Sequence, residues 1–287
     1  MEPIPIRRIA PTSKQPSTPG RISVRDLSVV INGKELKHQL HKHDFYFILG
    51  IEHGTGDHEI DFNNYKIEGN ALFILRPGQV HQLQLSADSK GYILEFDSSF
   101  YQPESTNAEH RWRKATRKNH CRADNPGTKK LLSILSHILH EYNEKRGGYL
   151  DAIKAHLDLF FIEYLRQSKN EGPRPDAASD YTQDRYEDFC RLLEVNIKEI
   201  KNVSRYASML NLSTYQLNAI TKSSVGKTAS DLINEQIVLE AKRYLLATPN
   251  QIKEIAWDLG FEDPSYFIRF FKKHTGDSPD SFRKRAK

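Results

Sequence analysis

Residues 259–279 read LGFEDPSYFIRFFKKHTGDSP, and this stretch decides the fold of the C-terminal part of the chain. Gly260 permits a tight turn, Asp263 is a favourable N-cap, and Pro264 suits the first position of a helix. Aromatic residues lie at the turn and along one side of the segment after it: Phe261, Phe267, Phe270 and Phe271. The stretch therefore predicts a helix that begins at a tight turn and is anchored by its phenylalanines.

The residues just before this turn predict a helix that supports the first one. Their apolar positions share one helical face: Ile252, Ile255, Ala256 and Leu259. Ala256 is small where the two helices must cross closely. The helix after the turn keeps an outer side formed by Ser265, Ile268, Arg269 and Lys272. A support helix, a tight turn and a second helix with a free outer face together indicate a helix-turn-helix unit.

The same arrangement occurs about fifty residues earlier in the chain. Ala207 occupies the small crossing position, and Asn211 tolerates the left-handed conformation that a three-residue turn needs. Ser213 fits as an N-cap, and Gln216 completes a capping box three residues later. Helical periodicity covers the whole C-terminal region, over residues 185–200, 204–210, 214–223, 229–246, 252–259 and 264–274. We therefore expect an all-α domain with two helix-turn-helix units in tandem.

The N-terminal region has the opposite pattern, with short β-branched or aromatic runs. They cover residues 22–31, 44–51, 58–62, 71–75, 81–85 and 91–96. Turn residues such as Asn32-Gly33, Asn63-Asn64 and Arg76-Pro77-Gly78 stand between them. Short strands about ten residues apart, each followed by a turn signal, favour a sandwich or a small barrel.

After residue 125 the apolar period changes to that of a helix. The first helical stripe consists of Leu131, Leu135, Ile138 and Tyr142, and a second covers residues 150–165. Two interpretations stay open at this point. The two helices either pack on their own barrel or form a seam of coiled-coil type between two subunits.

These patterns divide the chain into five segments, which together predict an α+β multidomain fold. Residues 1–20 hold five of the thirteen prolines and form a flexible arm. Residues 21–125 form the barrel, residues 126–167 the helical dimerisation element, and residues 168–183 a polar linker with two prolines. Residues 184–287 form the tandem helix-turn-helix domain.

Composition excludes several classes of protein. The chain has 287 residues, of which 38% are hydrophobic and 28% charged, and its net charge is +5. No apolar run reaches the roughly 18 residues that a membrane helix requires, so we expect a soluble protein without a membrane partner. Two distant cysteines, Cys121 and Cys190, exclude a disulfide scaffold and favour a cytoplasmic location. From Arg269 to the end the chain carries seven Lys or Arg and two acidic residues. A polyanionic partner such as DNA would place its phosphates against this basic segment.

Residues 259–279 resemble the signature of the AraC/XylS family of bacterial transcription regulators. Residues 240–248, EAKRYLLAT, resemble the helix that joins the two helix-turn-helix units of that family, and residues 252–256, IKEIA, resemble its second support helix. The resemblance extends over about residues 186–283. It implies that one recognition helix from each unit enters successive major-groove segments of double-stranded DNA, about one helical turn apart.

The resemblance also implies roles for particular residues. The base-reading candidates are Thr214, Tyr215, Asn218, Ala219, Pro264, Ser265, Ile268 and Arg269, and the phosphate-binding candidates are Ser213, Lys222, Lys272 and Lys273. Asn218 suits adenine and Arg269 suits guanine, each by bidentate pairing. Many family members carry a long polar side chain where Ala219 stands. Base reading by the first unit is therefore expected to use fewer hydrogen bonds.

His41-Lys42-His43 and residues 69–81, GNALFILRPGQVH, resemble the two cupin motifs, and a cupin-like barrel is the usual effector-binding domain of the family. In catalytic cupins, two histidines, a carboxylate and a third histidine hold a metal. His41, His43 and His81 stand in the histidine positions. The carboxylate position, four or five residues after His43, is occupied by Phe47 or Ile48. We therefore expect no metal and no other cofactor, and instead a metal-free pocket or packed imidazoles.

An effector pocket in the barrel is the expected sensor. Its candidate residues are His41, His43, Phe45, His81 and Tyr92, whereas His38, His53 and His58 are expected at the surface. Imidazole and aromatic groups suit a small polar molecule such as a sugar or an aromatic acid. The basic N-terminal arm either folds over this pocket or is disordered.

Nothing in the sequence indicates a catalytic residue. Gly226-Lys227-Thr228 is not a phosphate-binding loop, because the glycine required five residues earlier is Thr221. We expect a cytoplasmic transcription regulator that is not an enzyme, binds a small-molecule effector, forms a homodimer and contacts RNA polymerase if it activates. The alternatives are a metal-dependent cupin enzyme, an isomerase or dioxygenase, with a helical appendage, and a helical protein-docking module.

Overall fold

The computed structural model of the chain describes residues 5–9, 20–122, 126–169 and 180–285. The chain forms two compact units, which divide between Pro173 and Arg174. The expected arm, residues 1–20, is described only at residues 5–9 and at Gly20. Most of the expected linker, residues 168–183, lies outside the described residues.

Strands of the N-terminal unit pair into two five-stranded sheets in the described residues. The strands are β1 (Ile6–Arg7), β2 (Ile22–Asp26), β3 (Leu36–His43), β4 (Tyr46–His53), β5 (Thr55–Ile60), β6 (Asn63–Glu68), β7 (Ala71–Leu75), β8 (Val80–Leu85), β9 (Lys90–Phe96) and β10 (His120–Arg122). The first sheet has the order β1-β3-β8-β5-β6, and the second has the order β10-β7-β4-β9-β2. Only the pairing of β1 with β3 is parallel among these. The strand-rich architecture expected for this region is therefore present.

The space between the sheets is an apolar core built by the two-residue period of the strands. Phe47, Leu49 and Ile51 of β4 belong to this core. Ile48, between them in sequence, belongs to a second core that also contains helical residues. Because β4 is buried on both faces, its sequence is a continuous apolar run rather than an alternation.

Four helices accompany the sheets: α1 (Leu27–Ile31), α2 (Thr106–Arg117), α3 (Pro126–Glu144) and α4 (Tyr149–Lys169). Leu131, Leu135 and Ile138 of α3 are 0–1% exposed and pack in the same core as Ile48. Tyr142 packs against that core, and its hydroxyl donates to the carbonyl of Ile22. The assignment of this stripe to dimerisation is therefore wrong, because these side chains are already buried within their own unit. The alternative interpretation, helices packed on their own barrel, is correct.

Two local expectations for the strands also need correction. The run 22–31 is not one strand, because the Asp26 carboxylate caps α1 by accepting from the Ser28 amide, and Asn32 ends α1 in the left-handed conformation. Residues 63–64 are not a turn but the start of β6, and the turn lies at Asp61 and Phe62, which both have positive φ.

The C-terminal unit is entirely helical in its described residues. Its helices are α5 (Asp180–Asn196), α6 (Val203–Met209), α7 (Thr214–Val225), α8 (Ala229–Ala247), α9 (Ile252–Asp258), α10 (Pro264–Thr275) and α11 (Pro279–Arg285). Phe189, Tyr206, Phe267 and Phe271 are completely buried side chains of this unit. No helix in the described part of either unit is long and apolar enough to cross a membrane.

Candidate functional site

The turn between α6 and α7 has the geometry that its sequence predicts. Asn211 adopts a left-handed conformation with φ of 55°, and the Leu212 amide donates to the Ala207 carbonyl at 2.9 Å. Ser213 caps α7, since its hydroxyl accepts from the Gln216 amide at 3.2 Å. The Gln216 side chain accepts in turn from the Ser213 amide at 2.8 Å, which completes the capping box.

The turn between α9 and α10 repeats this geometry. Gly260 takes the left-handed position with φ of 71°, and the Phe261 amide donates to the Ala256 carbonyl, again at 2.9 Å. A Cβ on Gly260 would lie 1.9 Å from the Lys198 carbonyl oxygen, so only glycine fits. Asp263 caps α10 by accepting from the Ser265 amide at 2.7 Å. The two helix pairs therefore share the same turn, and a side-chain N-cap begins each second helix, with a capping box at α7 only.

Most base-reading candidates lie on exposed faces of α7 and α10. The exposed candidates are Thr214, Tyr215, Ala219, Ser265, Ile268 and Arg269, and Pro264 is half-buried at the start of α10. The Tyr215 side chain stands out among them, because this large aromatic residue is 82% exposed. The Arg269 guanidinium lies 3.8 Å from the Asp263 carboxylate, and both side chains are more than half exposed. Such a pair is weak in water and leaves the guanidinium able to reorient.

Asn218 has a different role from the one its position suggested. Its Nδ2 donates to the Thr214 carbonyl at 3.0 Å, and its Oδ1 accepts from the Ala229 amide at 3.0 Å. The Ala229 amide is one of the donors that the start of α8 leaves without a helical partner. Bidentate pairing with adenine requires both amide atoms, whereas here Nδ2 bonds within α7 and Oδ1 joins α7 to α8. The assignment of Asn218 as an adenine reader is therefore corrected to a structural role.

Basic residues near the end of each second helix fit phosphate better than bases. Lys222, Lys272 and Lys273 are exposed, and all three lie in the last turn of α7 or α10. Ser213 is exposed, but its hydroxyl is used in the capping box. Part of the basic C-terminal tail is structural, because Arg283 donates to the carbonyls of Leu245 at 2.9 Å and Asn250 at 2.8 Å. Since those partners lie more than thirty residues earlier, the sequence carried no signal for this role.

Four histidines meet inside the N-terminal unit. His41 and His43 come from β3, His58 from β5 and His81 from β8, and each is at most 4% exposed. Antiparallel pairing places His41 directly opposite His81. The expectation that His58 lies at the surface is wrong. A signal was available, because His58 and the buried Ile60 stand two residues apart and so face the same side of β5.

The imidazoles form a chain of close contacts. His43 Nε2 lies 2.6 Å from His81 Nε2, and His81 Nδ1 lies 2.9 Å from His58 Nε2. His41 Nδ1 lies 2.7 Å from the Gln39 carbonyl oxygen, and His41 Nε2 is buried without a hydrogen-bond partner among the described residues. His43 Nδ1 and His58 Nδ1 are unpartnered in the same way. Each such orphaned atom costs about 1–3 kcal/mol in a folded protein.

Burial keeps these histidines neutral. Loss of solvation lowers the pKa of His41 to about 4 and the pKa values of His43 and His58 to about 3. The pKa of His81 is also lowered, first by burial and then by the surrounding imidazoles. The Arg7 guanidinium lowers the pKa of His41 and His43 further. At neutral pH each ring therefore carries one N–H and one lone pair.

Only part of the residue set expected for the effector pocket comes together, and the pocket itself stays a prediction. Phe45 packs against His43 with ring centroids 4.3 Å apart, so four of its five candidate residues lie together in the barrel interior. Tyr92 does not join them, because it packs on the helical side of the second sheet and its hydroxyl donates to Glu52 at 2.8 Å. The physical reason is again alternation, since the buried Ile93 beside it takes the inward position of β9. Tyr92 is therefore removed from the pocket.

Comparison with known proteins gives matches to both units. A family model described as an AraC-like ligand binding domain matches residues 32–160, and one described as a helix-turn-helix domain matches residues 206–285. The uncharacterized HTH-type transcriptional regulator YfiF of Bacillus subtilis strain 168 is 22% identical over 92% of this chain and 86% of that protein. The HTH-type transcriptional activator RhaS of Escherichia fergusonii is 23% identical over 85% of this chain and 86% of that protein. Among solved structures, the C-terminal domain of the response regulator yesN from Fusobacterium nucleatum is 30% identical, with 33% of this chain and 93% of that chain covered and a TM-score of 0.31.

The matched regions and the helix pairs define a transcription regulator with an N-terminal ligand-binding domain and a C-terminal helix-turn-helix DNA-binding domain. The chain belongs to the AraC family of such regulators. The family resemblance, the fold class and the regulatory function inferred from the residues are thereby confirmed.

Proposed function

We propose that this regulator reads specific DNA sequences with α7 and α10, which enter two successive segments of the major groove. The observation that carries the proposal is the repeated geometry of the two helix pairs. Both turns have the same 2.9 Å hydrogen bond across them, and both second helices have an exposed outer face. A helix of this kind fits the major groove, where each base pair presents a distinct pattern of donors, acceptors and methyl groups.

The exposed candidates divide by chemistry into two kinds of contact. Arg269 has the bidentate geometry that suits guanine, and Ser265 and Thr214 offer hydroxyls to either kind of base. Tyr215, Ala219, Ile268 and Pro264 offer apolar surface to thymine methyl groups. Lys222, Lys272 and Lys273, with Ser213 at the start of α7, contact phosphates and set the position of each helix.

Arg269→Ala tests this assignment against Lys272→Ala, a substitution in the same helix that also removes one positive charge. We expect Arg269→Ala to weaken binding to the cognate site by about 1–3 kcal/mol and to leave binding to random DNA nearly unchanged. Lys272→Ala should weaken binding to the cognate site and to random DNA by similar amounts. It should also reduce the slope of log affinity against log salt by the share of about one phosphate contact. The cognate site comes from genome-wide mapping of bound DNA, and gel shifts over a salt series give the affinities. An equal loss on cognate and random DNA for Arg269→Ala would remove it from the base-reading set.

The effector response rests on the ligand-binding domain. We propose that the protein acts in the cytoplasm as a homodimer, and that a small polar effector binds one arrangement of the dimer better than another. The dimer would use a surface other than Leu131, Leu135 and Ile138, which are buried within the unit. If the protein activates transcription, RNA polymerase is its further partner. Sedimentation of the full chain, with and without candidate effectors, measures whether the homodimer forms and whether an effector changes it.

The alternative of a metal-dependent cupin enzyme has one observation in its favour, the meeting of three histidines in the barrel. A catalytic metal must keep an open position that the substrate can reach. Here the imidazoles are at most 4% exposed, and Phe45 and Phe47 lie against His43. The arrangement therefore supports binding rather than turnover, and we propose that the protein is not an enzyme.

A further inference from the structure

We propose that His41, His43 and His81 bind one divalent transition-metal ion in the barrel, and that His58 positions His81 for this task. The sequence predicts no metal site here, because Phe47 or Ile48 stands where the carboxylate of a catalytic cupin would be. The site is defined by the geometry of the barrel alone and is independent of how the protein binds DNA.

The three proposed ligands converge because of the register of two strands. His41 and His43 lie two residues apart on β3 and so face the same side, and His81 of β8 is the direct cross-strand partner of His41. One ring nitrogen from each of the three lies within 4.8 Å of the other two. All three side chains are buried, so an ion between them would be shielded from water.

The hydrogen bonds of His41 prepare it as a ligand. A carbonyl oxygen can only accept, so the contact between His41 Nδ1 and the Gln39 carbonyl places the ring hydrogen on Nδ1. His41 Nε2 is then a lone pair that is buried without a partner among the described residues. Metal-binding histidines have this same arrangement, with one nitrogen on the metal and the other donating to a carbonyl.

His58 completes the same arrangement for His81. When His81 Nδ1 donates to His58 Nε2 at 2.9 Å, His81 Nε2 becomes a second lone pair on the side of His41 and His43. His43 Nε2 lies 2.6 Å from that atom. In the metal-free chain His43 Nε2 then carries the ring hydrogen and donates to His81 Nε2. When an ion binds, that hydrogen moves to His43 Nδ1, and both Nε2 lone pairs become ligands. His58 is thus a positioning residue that selects the tautomer of His81.

The donor set selects the class of ion. Three neutral imidazoles suit Zn²⁺, Co²⁺, Ni²⁺ or Cu²⁺, whereas Ca²⁺ and Mg²⁺ require oxygen ligands. With metal–nitrogen distances of about 2.0–2.1 Å, tetrahedral ligand atoms stand about 3.3 Å apart. The His43–His81 contact would therefore open by about 0.7 Å on binding. Phe47 occupies the position that a carboxylate would have in a catalytic cupin, so the donor set consists of histidines alone. The Phe47 ring stacks on that of His43, with the ring centroids 5.2 Å apart.

The experiment uses the full-length chain without a histidine tag, stripped of metal by a chelator and titrated with Co²⁺. We expect about one Co²⁺ per chain, with the visible absorption of a site that has three nitrogen ligands and no near-ultraviolet band from thiolate ligands. His41→Ala and His81→Ala should each abolish this absorption. His53→Ala is the matched control, because His53 is an exposed histidine of the same barrel, and it should bind Co²⁺ as the wild type does.

His58→Leu tests the positioning role. It removes the acceptor for His81 Nδ1 and should weaken Co²⁺ binding about 10–100-fold at unchanged stoichiometry. His58→Gln keeps a side-chain acceptor and should restore most of the affinity, which a role in packing alone would not predict. Circular dichroism of each metal-free variant checks that it is folded.

Two results would overturn the proposal. One is a wild-type chain that binds neither Co²⁺ nor Zn²⁺ in the titration. The other is a folded His41→Ala variant that keeps the wild-type Co²⁺ spectrum. If His41→Ala does not fold, X-ray absorption of the Zn²⁺-loaded wild type decides instead. It should show three imidazole ligands, and a shell of oxygen or sulfur would rule the site out. None of these outcomes changes the DNA-binding assignment, which is measured separately by gel shift.

Discussion

Asn218 shows how a single side chain can join two helices of the DNA-binding unit. Its amide group bridges the Thr214 carbonyl and the Ala229 amide, both at 3.0 Å. We expect Asn218→Ala to lower the free energy of unfolding of this unit by about 1–2 kcal/mol, because it orphans the Ala229 amide at the start of α8. Denaturant unfolding of the full chain, followed by the fluorescence of Trp257, measures the loss.

Asn218→Asp separates the two hydrogen bonds of that residue. The carboxylate can still accept from the Ala229 amide but cannot donate to Thr214, so the loss should be smaller than for alanine. Base preference, measured by selection from a randomised DNA pool, should be unchanged in both variants. A switch in the preferred base without a loss of stability would return Asn218 to the base-reading residues.

Sequence alone predicted the residues whose partners are close in the chain and missed those whose partners are distant. Ser213 caps α7 through a contact three residues away, and such a contact follows directly from the spacing. Arg283 donates to Asn250, thirty-three residues earlier, and His58 contacts His81 from another strand. These pairings depend on tertiary packing, which local patterns do not determine.

At the scale of elements, the close approach of α3 to β4 depends on a residue without a side chain. A Cβ on Gly50 would lie 2.5 Å from Leu135 Cδ1 and 2.9 Å from Leu132 Cδ2. We expect Gly50→Ala to destabilise the N-terminal unit by about 1–3 kcal/mol, because the core around it is already filled. Gly147→Ala is the control, since a Cβ there meets no atom within 4 Å.

Leu135 tests whether the helical stripe is an internal core or a seam between subunits. Leu135→Ala alone should destabilise the unit by about 2–5 kcal/mol through the cavity it leaves. Combined with Gly50→Ala, the loss should be smaller than the sum of the two, because the new methyl group enters that cavity. Sedimentation of Leu135→Ala should show the wild-type mass under native conditions. A change of mass without a change of stability would revive the seam. The apolar period in the sequence predicts the helix, but the same stripe could pack against the barrel or against a second subunit. Only the burial of its side chains in the structure distinguishes the two.

At the scale of the whole molecule, the two units contain histidine in very different settings. The N-terminal unit has four buried imidazoles, whereas His274, the one histidine of the sequence after residue 173, is exposed. The chain also has two tryptophans, Trp112 on α2 and Trp257 on α9, so each unit carries its own fluorescent reporter. Trp112→Phe and Trp257→Phe variants then allow the unfolding of the two units to be followed separately.

Acid should destabilise the metal-free N-terminal unit selectively. Unfolded histidines take up protons near pH 6.5, whereas His41, His43 and His58 in the folded barrel have pKa values of about 3 to 4. Between these limits the unfolded chain binds more protons, so stability is present above pH 6.5 and falls as the pH is lowered. Within that window each such histidine lowers the free energy of unfolding by about 1.4 kcal/mol for every unit by which the pH falls. With a chelator present, the denaturant midpoint reported by Trp112 should fall steeply between pH 7 and pH 5, and that reported by Trp257 should change much less. Equal shifts of both midpoints would show that the buried imidazoles do not control the acid response, because only one unit contains them.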